Sequence, residues 1–250
     1  MQLHLQTWPD VEAYLKDSHG IIIPIGSTEQ HGPNGLIGTD AICAEVVARA
    51  VGEATGALVA PTISVGMAQH HMAFTGSITL RPSTLIAVIR DNIVSLARHG
   101  FRRFYFVNGH GGNIATVNAA FSEVYAESSL DGAASNKRCV KCRVRNWWEA
   151  PAVKQLSRDL YGNAEGSHAT PSEVSLTWYA FPQAARPMTM DPPVAPTGGF
   201  TDADDYRRNF PDGRIGSNPG LASAEAGGRF LAASVEYLAA DFRAWIDDRG

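Results

Sequence analysis

The sequence predicts an α/β fold in which βα units surround a mostly parallel sheet, and three observations carry that reading. Apolar runs of strand length alternate with stretches of helical period through the first half of the chain. Glycines and prolines punctuate the junctions between them. With 250 residues, 44% of them hydrophobic and 18% charged, the chain can bury a large core, and layered α/β folds of this size often form one domain. A single domain over residues 1–250 is the expectation.

Taken in order, Ile21-Ile22-Ile23-Pro24-Ile25 reads as a short buried strand, with Pro24 removing a ladder donor and so favouring a strand end or an edge. A polar, glycine-rich stretch runs from Gly26 to Thr39. Beyond it Ile42, Val46, Val47, Ala50 and Val51 recur at helical spacing, with Thr39 or Asp40 as N-cap and Gly56 as the stop. Leu58-Val59-Ala60 begins a second strand, and a loop from Gly66 to Gly76 carries His70 and His71. Pro82 announces a helix through Leu85, Ile86, Ile89, Ile93, Val94 and Ala97 that Gly100 ends.

Phe104 to Val107 is the third strand, followed by the turn Asn108-Gly109-His110-Gly111-Gly112-Asn113 and a helix from Ile114 to about Ala126. Val140 to Trp148 reads as a fourth strand. Pro182 to Pro219, rich in Pro, Gly and Asp, reads as a long irregular surface segment, and such loops usually cover a site or an interface. An amphipathic helix from about Ala222 to Asp247 closes the chain, with Phe230, Leu231, Val235, Leu238, Phe242 and Ile246 as its buried stripe.

A net charge of −4 and a pI near 6.0 leave no excess of positive charge for a phosphate backbone or an anionic membrane, so neither nucleic acid nor membrane is an expected partner. The first residues lack a secretory signal's basic head and apolar stretch, and no apolar run approaches the ~18 residues of a membrane span. The cytoplasm is the expected compartment. Cys139 and Cys142 form a C-x-x-C, but in what reads as a strand, where positions three apart face opposite sides. Redox or zinc use is not expected there. Cys43 lies in a helical stripe and no G-x-S-x-G elbow is present, which disfavours nucleophilic Cys or Ser catalysis.

Ligands of open parallel sheets bind beyond the carboxyl ends of the strands, so the polar turns after strands one and three carry most weight. In Gly26-Ser27-Thr28-Glu29-Gln30-His31-Gly32-Pro33, Glu29 and His31 stand two apart and in an extended segment project to the same side. The second turn offers His110 among glycines, and Asp40 at the helix start offers another carboxylate. Imidazole with carboxylate is a ligand set for Zn, Mn or Fe, and an acid able to bridge suits a two-metal site. Taken singly, Asp40 reads equally as an N-cap and His110 as a turn residue.

Together these residues resemble the creatininase family. Ile23-Pro24-Ile25-Gly26-Ser27-Thr28-Glu29-Gln30-His31-Gly32 is similar to its first signature, with Gly38-Thr39-Asp40 following. Phe106-Val107-Asn108-Gly109-His110-Gly111-Gly112-Asn113 is similar to the second, and Gly166-Ser167-His168-Ala169-Thr170-Pro171-Ser172-Glu173-Val174-Ser175 to the third. The resemblance implies a three-layer αβα sandwich, two divalent metal ions, a homohexamer, and hydrolysis of a non-peptide C–N bond by a metal-activated water. It implies that Glu29, His31 and His110 bind metal, that Asp40 bridges, that His168 gives the leaving nitrogen its proton, and that His71, Ser77, Gly111 and Trp148 contact a small-molecule substrate. Trp148 also reads as core.

Two positions depart from creatinine-hydrolysing members. Gly112 stands where they carry a ligand Glu, and Ser167 where an acidic residue precedes the histidine. The first departure makes Glu173 the substitute ligand, although it also reads as an acid at a helix start; both count against creatinine. A cyclic amide, a formamide, the end of a small peptide, or non-catalytic binding of a metabolite all stay open.

Overall fold

The structure is a computed structural model that describes residues 1–130 and 140–247. Four strands, β1 (Gly20–Ile25), β2 (Leu58–Val59), β3 (Arg103–Asn108) and β4 (Lys141–Asn146), form one sheet in the order β2-β1-β3-β4 with every pairing parallel. Eight helices accompany them among the described residues: α1 (Trp8–Asp17), α2 (Thr39–Thr55), α3 (Pro82–His99), α4 (Ile114–Leu130), α5 (Pro151–Tyr161), α6 (Pro171–Ala180), α7 (Ala203–Asn209) and α8 (Ala224–Asp247). None is long and apolar enough to cross a membrane.

The two-residue period of the strands sorts their side chains between two cores. Ile21, Ile23, Ile25, Phe104 and Phe106 pack with Leu85, Ile89 and Ile93 of α3 and Val117 and Phe121 of α4. Ile22, Tyr105 and Val107 pack on the other face with Val47 and Val51 of α2 and Phe230, Leu238 and Phe242 of α8. Helices on both faces of a parallel sheet make the three-layer αβα sandwich. Each such side chain withdrawn from water contributes about 1.5–3 kcal/mol, so the sheet is fixed from both sides.

Several expectations need correction. β1 is an inner strand despite Pro24. Pro24 accepts from Ile63 N through its carbonyl on the β2 side, and β2 has ended at Val59, so the missing N–H costs no ladder bond. Neither Thr39 nor Asp40 caps α2: the cap position is Gly38, Thr39 Oγ1 donates to Leu36 O, and Asp40 lies within the first turn. The fourth strand stops at Asn146, and Trp147 and Trp148 begin a 3₁₀ turn. Helix α1 went unmarked in the sequence although Thr7 and Asp10 form a capping box. Cys139 lies outside the described residues, and Cys142 sits on β4.

Candidate metal centre

The carboxyl ends of β1 and β3, neighbours at the middle of the sheet, deliver the two signature turns to one place. Asparagine side chains tie the turns together: Asn108 Nδ2 donates to His110 O at 2.7 Å, and Asn113 Nδ2 to Gly26 O at 2.9 Å. A Cβ on Gly109 would lie 2.0 Å from Asp40 O, so only glycine lets the start of α2 approach the β3 turn.

Hydrogen-bond roles assign the histidine protons. His31 Nδ1 faces Glu29 O at 3.0 Å, His110 Nε2 faces Met67 O at 2.9 Å, and His168 Nε2 faces Gln30 O at 2.9 Å. A carbonyl only accepts, so each of these nitrogens carries hydrogen and the other ring nitrogen is left with a lone pair when the ring is neutral. Those lone pairs point at carboxylates. His31 Nε2 lies 3.0 Å from Asp40 Oδ1 and 3.9 Å from Glu173 Oε1. His110 Nδ1 lies 2.9 Å from Asp40 Oδ2 and 3.4 Å from Glu29 Oε1, and His168 Nδ1 lies 3.9 Å from the latter.

Despite these approaches, Glu29 Oε1 and Asp40 Oδ2 are buried without an aligned hydrogen-bond partner. Acceptors facing acceptors in a buried place call for a cation between them. Burial alone would lower the histidines, but Asp40, with Glu173 and Glu29, raises His31 to about 10, and Glu29 with Asp40 raises His110 to about 9. Asp40 is pushed up by burial and down more strongly by His31 and His110, ending far below the carboxylate range. The site stabilises positive charge. Three sets of ligand atoms lie within 4.8 Å of one another: Glu29, Asp40 and His110; His31, Asp40 and Glu173; and Glu29, His31 and His168. Asp40 belongs to the first two sets through different oxygens, which fits a pair of divalent ions sharing it.

The remaining predicted residues divide. A cavity of about 710 Å³ opens above the centre, lined by Asp40, His110, His168 and Glu173 and also by His71, Gly111 and Trp148. His71 is buried, accepts on Nδ1 from Gln30 Nε2 at 2.9 Å and turns Nε2 to Glu29 Oε1 at 3.1 Å. Burial, with His31 and His110 adding their charge, lowers it to about 3, so it is a neutral ring. Ser77 lies outside the cavity wall: its hydroxyl accepts from Gln30 N at 3.1 Å and holds the first turn from behind.

Glu173 serves α6 as well, since Oε1 accepts from Thr170 N at 2.6 Å in a capping box. Burial, reinforced by Asp40 against the pull of His31, raises it to about 7. Sequence reasoning missed Gln30, whose amide reaches His71, Gly213 O and, through Oε1, Gly32 N, and Tyr206 and Phe200, which wall the cavity from the irregular segment. Gln30 stands in the first signature, but its partners His71 and Gly213 lie far along the chain, and no local pattern marks Tyr206 or Phe200.

The family model for creatininase, described as creatinine amidohydrolase, matches residues 4–242. The chain belongs to the creatininase family. Among curated relatives, a mycofactocin precursor peptide peptidase of Mycobacterium tuberculosis is 30% identical over 243 residues, covering 92% of this chain and 86% of the relative. One of Mycobacterium ulcerans is 37% identical over 130 residues, 48% of each chain. Creatinine amidohydrolase of Pseudomonas putida is 28% identical over 246 residues, 93% and 92% of the two chains. A solved structure of creatininase with Mn superposes with a TM-score of 0.82 at 25% identity over 98% of both chains. The creatininase departure at Gly112 has a local cause: a Cβ there would lie 2.4 Å from His110 Nε2 and 2.9 Å from Met67 O. The contact that orients His110 occupies the space a side chain would need.

Proposed function

We propose that the protein is a two-metal hydrolase that cleaves a non-peptide amide C–N bond, cyclic, linear or formamide, in a small molecule. The observation that carries the reading is the buried pair of acids Glu29 and Asp40, on which ring nitrogens of His31, His110 and His168 converge while the opposite nitrogen of each ring rests on a main-chain carbonyl. One ion would be held by Glu29, Asp40 and His110, the other by His31, Asp40 and Glu173. Zn, Mn or Fe bound there would supply Lewis acidity, polarising the carbonyl and lowering the pKa of the attacking water from 15.7 towards roughly 7.

The chain's own groups supply the proton transfers. His168 Nε2 is committed to Gln30 O, so Nδ1 is the atom that takes a proton from water and returns it to the leaving nitrogen. Burial first, then the charge of His31, hold this imidazole well below its ordinary value, which keeps Nδ1 free to accept. The main-chain carbonyl of Gln30 and the face of His71, 4.4 Å from the His168 ring by centroid, fix its orientation. Gly111 leaves open space beside the centre, and Trp148 offers an aromatic wall for the substrate.

A second reading, hydrolysis at the end of a small modified peptide, is supported by the names of the mycobacterial relatives and by a cavity larger than a small cyclic amide needs. The test is metal analysis of purified protein followed by hydrolysis assays on cyclic amides, formamidopyrimidines and short peptides. Asp40→Ala should lose most of the metal and all activity, since no neighbour replaces a shared carboxylate. Full metal content in that variant would overturn the assignment.

A further inference from the structure

Helix α5 supplies one stretch of the cavity wall and turns Lys154, Ser157 and Arg158 to the opening. Lys154 and Arg158 are four residues apart, so two like charges share one helical face, an arrangement that destabilises a helix. Lys154 also stands in the first turn, where the positive end of the helix dipole opposes a cation. Arg158, in the last turn, is favoured by the dipole, but neither cation is paired with an acid. Among the described residues no carboxylate comes within ion-pair distance of either, and the guanidinium of Arg158 bonds only Gln155 Oε1, within its own helix, at 2.6 Å. By contrast Arg143, Arg145 and Arg214 each hold a carboxylate.

Glu165 is the nearby acid on the same wall, but it is bonded by Ser172, and burial pushes its carboxyl upward, towards the neutral form. It does not neutralise the pair. Two cations on one helical face, both lining the cavity above the metal centre and neither paired with an acid, lack only an anion. We propose that Lys154 and Arg158 form an anion subsite and, resting on the hydrolase reading above, that the substrate carries a carboxylate or phosphate besides the amide to be cleaved. An ammonium point charge beside a planar guanidinium fork suits either group.

The test uses metal-loaded protein and two probes, succinate and inorganic phosphate, titrated calorimetrically into wild type and Lys154→Met/Arg158→Met. Both positions are exposed, so the variant should fold and keep its metal. The expected result is a loss of roughly ten-fold or more in affinity for at least one probe in the variant, as two charge-assisted contacts imply. The probe that loses more identifies the group. Equal affinity in both proteins, meaning that the anion sits on the metals or nowhere, would overturn the subsite. Failure of every amide in the hydrolysis panel with probe binding intact would instead retire the hydrolase reading and leave the subsite standing.

Discussion

Asp40 divides its two carboxylate oxygens between His31 and His110, while Glu173 reaches the centre from α6 with an oxygen already engaged by Thr170 N. The two acids therefore predict different outcomes. In Glu173→Gln the amide oxygen still accepts from Thr170 N, so α6 keeps its cap while the charge facing His31 is lost. Two-site titration should then show one metal weakened by at least roughly 10–100-fold and the other little changed, a loss no smaller than that of an outer-shell partner. Equal affinity at both sites would reduce Glu173 to a helix cap. For His168→Ala the expectation is retained metal and a fall in kcat of roughly 10²–10⁴, the range of general acid–base catalysis. Metal loss in that variant would make His168 a ligand, as its approach to Glu29 and His31 allows.

Among the elements, the edge strand β4 is built differently from its neighbours. Its register sets Arg143 beside Tyr105 and Arg145 beside Val107, and Asp241 of α8 gathers both guanidiniums and the Tyr105 hydroxyl. Burial alone would raise Asp241, but the hydrogen bonds from Arg145 and Tyr105 and the charges of Arg145 and Arg143 outweigh it, leaving the carboxyl below its ordinary 3.8. A group lowered on folding contributes stability that is complete above its unfolded value and disappears as pH falls through the folded one. Asp241→Asn should lower stability by roughly 1 kcal/mol or less near neutrality, as for other accessible pairs. The gap in Tm from wild type should close below pH 3.8, and a gap that persists in acid would contradict the charge-based account. Elements of this kind were legible where a period ran long enough: β1, β3, α2, α3 and α8 follow directly from their apolar spacing. Helix α7 was not legible, because seven residues within a Pro, Gly and Asp-rich stretch give too few turns to establish a period. The candidate ligands were legible because they fall in the signature segments, in the turns after β1 and β3 and in the first turns of α2 and α6. Gln30 was not, because its amide is read by residues as distant as Gly213.

At the scale of the whole molecule, the irregular segment is fastened by one buried side chain. The Arg214 guanidinium donates to Pro192 O, Pro193 O and Ser217 O and pairs with Asp212 at 2.7 Å, though it is 0% exposed. The same segment holds the loop that carries His168, since Ser217 Oγ donates to His168 O at 2.6 Å and Ile215 pairs with His168. Arg214→Met strands three carbonyl acceptors and an acid, and should cost at least about 3 kcal/mol in urea denaturation. Because Phe200, Tyr206 and Ile215 wall the cavity from this segment, KM should rise while metal content stays constant. Metal content can stay constant because of the feature that assigned the histidine protons: His31, His110 and His168 each rest one ring nitrogen on a main-chain carbonyl, those of Glu29, Met67 and Gln30. Replacing the side chains at those three positions leaves these oxygens in place. The imidazole orientations are thereby insulated from point substitution of their supporting partners, and retuning them requires a change in the path of a loop.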